Sequence, residues 1–177
     1  LGKLGLLHEH SPSPDHGIII GKFQFRMVQI HGSRSAYRKR IFRLIDQADI
    51  LKLSDEDLVY LDPCVSIDAF INDRLEQGVK LVVLTRGERG VLLQTVADRI
   101  VLKAQPCVVK DTIGAGDSFH GALLSELENR GLLNKAALGA LKKHDLETIG
   151  EFATRAAAIT CSRDGADPPW ASEVRIL

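Results

Sequence analysis

The sequence lacks a long hydrophobic run and lacks an excess of charge of either sign. Its apolar stretches are far shorter than the roughly 20 residues with which a helix crosses a bilayer. Its 23 basic residues balance its 23 acidic residues, which argues against an electrostatic nucleic-acid binder and against a polybasic membrane anchor. We therefore expect neither a nucleic acid nor a membrane as a partner.

The sequence also has too few cysteines, in too loose a pattern, for a disulfide framework or a cysteine-based metal site. Its three cysteines, Cys64, Cys107 and Cys161, are far apart and odd in number, and none belongs to a Cys-x-x-Cys pair. The first residues lack the basic region and the long apolar core of a secretory signal. Reduced thiols in a cytoplasmic protein are therefore expected.

The sequence does contain the composition and the periodicity of a layered α/β domain. It has 177 residues, of which 45% are hydrophobic and 26% charged, as in one globular domain with a sizeable core. Hydrophobic runs predict strands at 49–53, 80–85, 91–95 and 99–103. Helical spacing and capping residues predict helices at 35–48, after Ser54, between Ser66 and Gly78, from the 110–124 segment to Gly131, and at 146–163. This alternation implies a layered α/β/α fold with a mostly parallel central sheet.

The segment 110–124, KDTIGAGDSFHGALL, places glycines and an aspartate directly before an apolar helical run. Gly114 and Gly116 remove the side chains that would keep a ligand away from the backbone. The unpaired amides at the start of the helix then form an anion site. A carboxylate at Asp117 would repel a bound phosphate, unless its task is to take a proton from a hydroxyl that attacks phosphorus. The pattern therefore favours phosphoryl transfer, with a tight turn and an acidic N-cap as the alternative.

The same segment closely resembles the Asp-Thr-x-Gly-Ala-Gly-Asp signature of the ribokinase-like (PfkB) carbohydrate kinases. Within that family, ADILKLSDEDLVYL (48–61), LVVLTRGERGVLL (81–93) and AAAITCSRDGADPP (156–169) resemble the bacterial fructokinase branch. The matching segments follow one another in order between Ser35 and Glu173. The resemblance implies ATP-dependent phosphorylation of a small-molecule sugar hydroxyl, with Mg²⁺ and, in some members, K⁺.

The resemblance also implies roles for residues at the reacting end of the site. Asp117 matches the catalytic base, which also contacts the sugar. Three residues match the anion hole for the terminal phosphate, namely Gly114, Ala115 and Gly116. Six residues match positions that border the nucleotide, namely Lys52, Thr85, Gly87, Gly90, Gly165 and Ala166. For the TRGERG loop, an ordinary turn between strands is the alternative reading.

Two further carboxylates match positions that the family associates with cations. Asp57 falls where relatives carry a residue that helps to order Mg²⁺, with Glu56 as an alternative, although Ser54 and Asp57 also fit a capping box. Asp111 matches a residue near the monovalent-cation site of some members. A turn-forming hydrogen bond is the alternative role for Asp111.

The match to the family fails in two places. Relatives carry Asp-Pro-Asn-x-Arg on the strand before helix 35–48, whereas residues 22–26 read KFQFR here, so that only Arg26 matches, as a contact to sugar or phosphate or as a surface residue. The N-terminal strands and the β lid, with their Gly-Gly-x-x-x-Asn hallmark, have no counterpart. We therefore expect 1–34 to be an irregular remnant of a strand and loop, and 35–177 to be the C-terminal nucleotide-binding part of a longer kinase.

Three functions stay open at this point. The first is a fructokinase-like sugar kinase, and the second applies the same chemistry to 2-keto-3-deoxygluconate, ribose or a nucleoside. The third is a non-catalytic nucleotide-binding remnant, which the missing lid favours and the intact Asp117 disfavours. A missing N-terminal half or a second copy of the chain is the expected macromolecular partner.

Overall fold

The computed structural model describes residues 18–22 and 34–176, which form a five-stranded sheet between two layers of helices. The strands lie side by side in sequence order as β1 (Ile20–Lys22), β2 (Ile50–Ser54), β3 (Leu81–Thr85), β4 (Val91–Gln94) and β5 (Arg99–Leu102). The first three run parallel to one another, and the last two run antiparallel to their neighbours. The predicted layered fold is confirmed, with a mixed sheet that is parallel in its first part.

The sheet changes direction after β3 because the connection to β4 is short. A parallel connection needs a crossover of about a dozen residues or more, whereas here a single 3₁₀ turn at Gly87–Arg89 joins the two strands. Gly90 follows this turn with a φ of 85°, a left-handed conformation that favours glycine. A Cβ on Gly90 would also overlap the carbonyl oxygen of Leu102. The hairpin therefore requires glycine at this position.

The described part of the chain has seven helices, six of which cover the sheet, while the last packs on the helix before it. They are α1 (Arg34–Ile45), α2 (Asp55–Leu61), α3 (Ile67–Glu76), α4 (Ala115–Asn129), α5 (Lys135–Ala140), α6 (Lys143–Cys161) and α7 (Ala171–Ile176). The first three pack on one face of the sheet, and α4 to α6 pack on the other. Because β2 and β3 have helices on both faces, nearly all their residues are buried, which is why they read as continuous apolar runs.

The capping residues placed most helix ends correctly. Ser54 and Ser66 accept hydrogen bonds from the amides of Asp57 and Ala69, and Gly78 follows α3 with a positive φ. Two short helices, α5 and α7, were not predicted, and α6 begins three residues earlier than the predicted 146–163. In α5, Asn134 caps the amide of Ala137, and this capping residue is a local signal for a helix start. The helix has only six residues, which is too short for a periodic pattern of apolar residues to support that signal.

The predicted N-terminal segment 1–34 lies mostly outside the described residues, apart from 18–22 and Arg34. Part of it forms β1, and the division of the chain at residue 34 stays a prediction. Arg26 also lies outside the described residues. None of the helices within 18–22 and 34–176 combines the length and the hydropathy that a membrane crossing requires.

Candidate active site

The glycine-rich segment forms the start of α4, as its sequence predicts. Gly114 is the N-cap, with a φ of 81° in the left-handed region. A Cβ at this position would lie 2.7 Å from the Cβ of Ala166, far inside van der Waals contact. Gly114 is therefore required both by its backbone conformation and by the close approach of the loop that contains Gly165 and Ala166.

The first turn of α4 presents amide groups without acceptors. The amide of Ala115 donates to the carbonyl of Thr112, and that of Ser118 donates to the carbonyl of Gly114. The amides of Gly116 and Asp117, which lie between these two residues, have no acceptor among the residues that the structure describes. Such amides at the positive end of a 15-residue helix form a site for an anion.

Asp111 holds the segment that precedes this turn through two hydrogen bonds. Its Oδ1 accepts a hydrogen bond of 2.9 Å from the amide of Ile113, and its Oδ2 accepts one of 3.2 Å from the amide of Gly165. The first bond is the turn-forming contact that the sequence offered as an alternative, and the second ties the two loops together. A role of Asp111 beside a monovalent cation stays a prediction.

Lys52, on β2, brings a buried positive charge to the start of α4. The residue is only 5% exposed, and its Nζ would lie 3.6 Å from a Cβ on Gly116. No other described residue forms a hydrogen bond or an ion pair with it. The pKa of Lys52 is lowered to about 8, mainly by burial; the charge of Asp57 opposes the shift and that of Lys22 adds to it. A buried ammonium that no described residue pairs with is a strong anion-binding group.

Asp57 completes a capping box at the start of α2. Its Oδ2 accepts hydrogen bonds from the amide of Ser54 at 2.9 Å and from its hydroxyl at 2.6 Å. Its negative charge acts on both Lys22 and Lys52. The geometry therefore establishes that this carboxylate caps α2. Its role toward Mg²⁺ stays a prediction.

The structure adds two residues that the sequence did not indicate. Lys22 lies opposite Lys52 in the parallel register of β1 and β2, and its Nζ forms an ion pair with Oδ1 of Asp117. His120 lies one turn beyond Asp117, and its buried Nδ1 has no hydrogen-bond partner among the described residues. Burial, then the charges of Lys22 and Lys52, lower the pKa of His120 to about 4. The imidazole is therefore neutral at neutral pH.

The residues predicted to contact the nucleotide between β3 and β4 also have structural roles. Thr85, at the end of β3, pairs with Ser54 of β2, and its hydroxyl donates to the carbonyl of Leu53 at 3.4 Å. Gly87 has a φ of 54° and open space around its Cα, and Gly90 is fixed by packing. Contact of these three residues with a nucleotide stays a prediction.

A cavity of about 420 Å³ opens beside Asp117 in the described part of the chain. One wall is the face of α4 from Gly114 to Ser125, and the others come from α6, α7 and the segment around Ala166. The carboxylate of Asp117, 65% exposed, therefore faces accessible space next to the anion site. A proton acceptor that lines a cavity and directly follows the unpaired amide of Gly116 suits the transfer of a charged group to an alcohol.

Comparisons of sequence and structure connect the chain to known proteins. The model of the pfkB family carbohydrate kinases matches residues 20–173. A fructokinase of Rhizobium leguminosarum bv. trifolii is 34% identical over 113 residues, which cover 64% of this chain and 35% of the relative. Fructokinase-1 of Oryza sativa subsp. japonica is 33% identical over 146 residues, which cover 82% of this chain and 43% of the relative.

A solved structure has the same fold. The crystal structure of a fructokinase with bound ATP from Xylella fastidiosa matches with a TM-score of 0.72 and 26% identity, over 78% of this chain and 45% of that protein. The chain therefore spans less than half the length of each of these three proteins.

Proposed function

Because the chain belongs to the pfkB family of carbohydrate kinases, we propose that it is the C-terminal, nucleotide-binding part of an ATP-dependent sugar kinase of the fructokinase type. One observation carries the proposal: the buried ammonium of Lys52 and the unpaired amides of Gly116 and Asp117 converge beside the carboxylate of Asp117. The cation and the amides suit a terminal phosphate. The carboxylate suits a hydroxyl that is losing its proton.

In the proposed reaction, the oxygen of a sugar hydroxyl attacks the terminal phosphorus of ATP, and its proton passes to Asp117. A new bond forms between phosphorus and that oxygen. The bond from phosphorus to the bridging oxygen breaks, and its electron pair leaves with ADP. Lys52 and the amides of Gly116 and Asp117 stabilise the charge on the phosphoryl oxygens throughout.

Mg²⁺ would neutralise part of the charge on the phosphates. The described residues offer no group of three His, Cys, Asp or Glu side chains that could hold a metal ion. Asp57 is the carboxylate proposed to help order it, since its charge acts on Lys52. A monovalent cation such as K⁺ is proposed near Asp111.

We propose fructose as the acceptor, because both sequence relatives are named fructokinases. The residues that select the acceptor are proposed to come from an N-terminal half or from a second copy of the chain, since this chain spans less than half the length of those relatives. Five residues of two loops are proposed to border the nucleotide: Thr85, Gly87, Gly90, Gly165 and Ala166.

The proposal is tested by measuring ADP release from MgATP with and without a sugar acceptor. Fructose is expected to stimulate ADP release more than ribose, 2-keto-3-deoxygluconate or a nucleoside. A stronger response to one of those acceptors would overturn the assignment of fructose while keeping the kinase. Binding of MgATP without acceptor-dependent ADP release would favour a non-catalytic nucleotide-binding module.

A further inference from the structure

Lys22 makes a direct contact with the carboxylate proposed as the base. Its Nζ forms an ion pair with Oδ1 of Asp117, and its side chain is only 22% exposed. Lys22 and Lys52 are partners in the register of β1 and β2, so that both side chains leave the same face of the sheet. The two ammonium groups therefore meet the first turn of α4 together.

The two lysines differ in what they contact. Lys22 is engaged with Asp117, whereas Lys52 has no ion pair or hydrogen bond with any residue in the described part of the chain. The Nζ of Lys52 approaches Gly116, whose amide is one of the two without an acceptor. Lys52 is thus available to a phosphate, while Lys22 serves the carboxylate.

Within 18–22 and 34–176, the other charged or titratable groups that face Lys22 do not replace Asp117 as its direct partner. Asp57, on α2, attracts Lys22, but its Oδ2 accepts both hydrogen bonds from Ser54. His120, on α4, is neutral because burial and the two lysines lower its pKa to about 4. Asp117 therefore carries the negative charge in direct contact with Lys22.

We propose that Lys22 is a positioning residue that holds Oδ1 of Asp117 and offsets the repulsion between this carboxylate and the terminal phosphate of ATP. The inference rests on the function proposed above. Oδ2 of Asp117 is then the oxygen that accepts the proton of the acceptor hydroxyl as the bond to phosphorus forms. Without Lys22, the carboxylate of Asp117 would repel the terminal phosphate at the anion site and weaken its binding.

The test compares the affinities of the chain for MgATP and MgADP by calorimetry, because only ATP carries the phosphate that meets Asp117. Lys22→Met is expected to reduce the preference for ATP over ADP about tenfold, since the uncompensated carboxylate repels that phosphate. The double variant Lys22→Met/Asp117→Asn is expected to return to within about threefold of the wild type, because it has neither charge. Lys22→Arg keeps the cation and is expected to keep the preference.

Two outcomes of this comparison would overturn the role of Lys22. One is a Lys22→Met variant whose preference for ATP is unchanged. The other is a double variant that keeps the loss, because a loss that does not depend on the charge of Asp117 would indicate that Lys22 only supports the local structure.

A second measurement does not depend on nucleotide binding. The titration of Lys22, followed by NMR at its ε-carbon, is expected to move to lower pH in Asp117→Asn, because burial already lowers the pKa of Lys22 and its counter-charge is then gone. An unmoved titration would overturn the ion pair. A shifted titration in a chain that binds neither nucleotide would instead contradict the proposed function, and with it the role of Lys22 toward ATP.

Discussion

An Asp117→Asn variant is expected to lose phosphoryl transfer by about 10²–10⁴-fold. The substitution keeps the shape of the side chain and removes its ability to take the proton of the acceptor hydroxyl. The affinity for MgATP is expected to stay the same or to increase, because a carboxylate beside a phosphate is replaced by a neutral amide. Steady-state kinetics of acceptor-dependent ADP release, combined with calorimetry, separates the two effects.

Asp68 provides a matched control for this variant. The side chains of Asp68 and Asp117 are both 65% exposed, and each pairs with a cation. Each also lies in the first turn of a helix, but α3 packs on the opposite face of the sheet from α4. Asp68→Asn is expected to leave the transfer rate unchanged. If Asp117→Asn kept the wild-type rate to within about threefold, another group would have to be the base.

A Lys52→Met variant is expected to lose affinity for MgATP by about 10–100-fold at pH 7, which corresponds to the loss of a charge-assisted contact. Methionine fills the buried space without the charge. In the wild type, the affinity is expected to fall as the pH rises through about 8, because the pKa of Lys52 lies near that value. The fall is up to about tenfold per pH unit, since one proton is lost from the cationic form that binds phosphate.

The pH dependence distinguishes a role of the charge from a general effect of the substitution. Lys52→Met is expected to bind MgATP with an affinity that does not change between about pH 7 and pH 9, one unit on either side of the pKa of Lys52 in the wild type. Lys143→Met, at an exposed lysine in the first turn of α6, is expected to retain the wild-type profile. A wild-type affinity that is constant through pH 8 would place the phosphate away from Lys52.

Local sequence signals predicted the local geometry of the candidate site. The N-cap and the first turn of α4 follow from glycines and an aspartate within a few residues of one another. The capping box of Ser54 and Asp57 likewise depends on two residues three positions apart. Such features are readable because the atoms that interact are close in the sequence.

The electrostatic part of the site could not be predicted in the same way. The ion pair between Lys22 and Asp117 joins β1 to α4, which are far apart in the sequence, and it depends on the order of the strands. The loss of the Asp-Pro-Asn pattern drew attention to 22–26 but gave no partner for Lys22. Lys52 did carry a local signal, since a lysine within the apolar strand Ile50–Ser54 must find a place for its charge.

The most direct measurement of the anion site is the NMR chemical shift of the amides of Gly116 and Asp117 in the ¹⁵N-labelled chain. Both amide protons are predicted to move downfield when MgATP is added, because they then donate hydrogen bonds to the terminal phosphate. MgADP, which lacks that phosphate, is predicted to move them much less. Equal shifts with the two nucleotides, or no shift with either, would contradict a terminal phosphate at the start of α4.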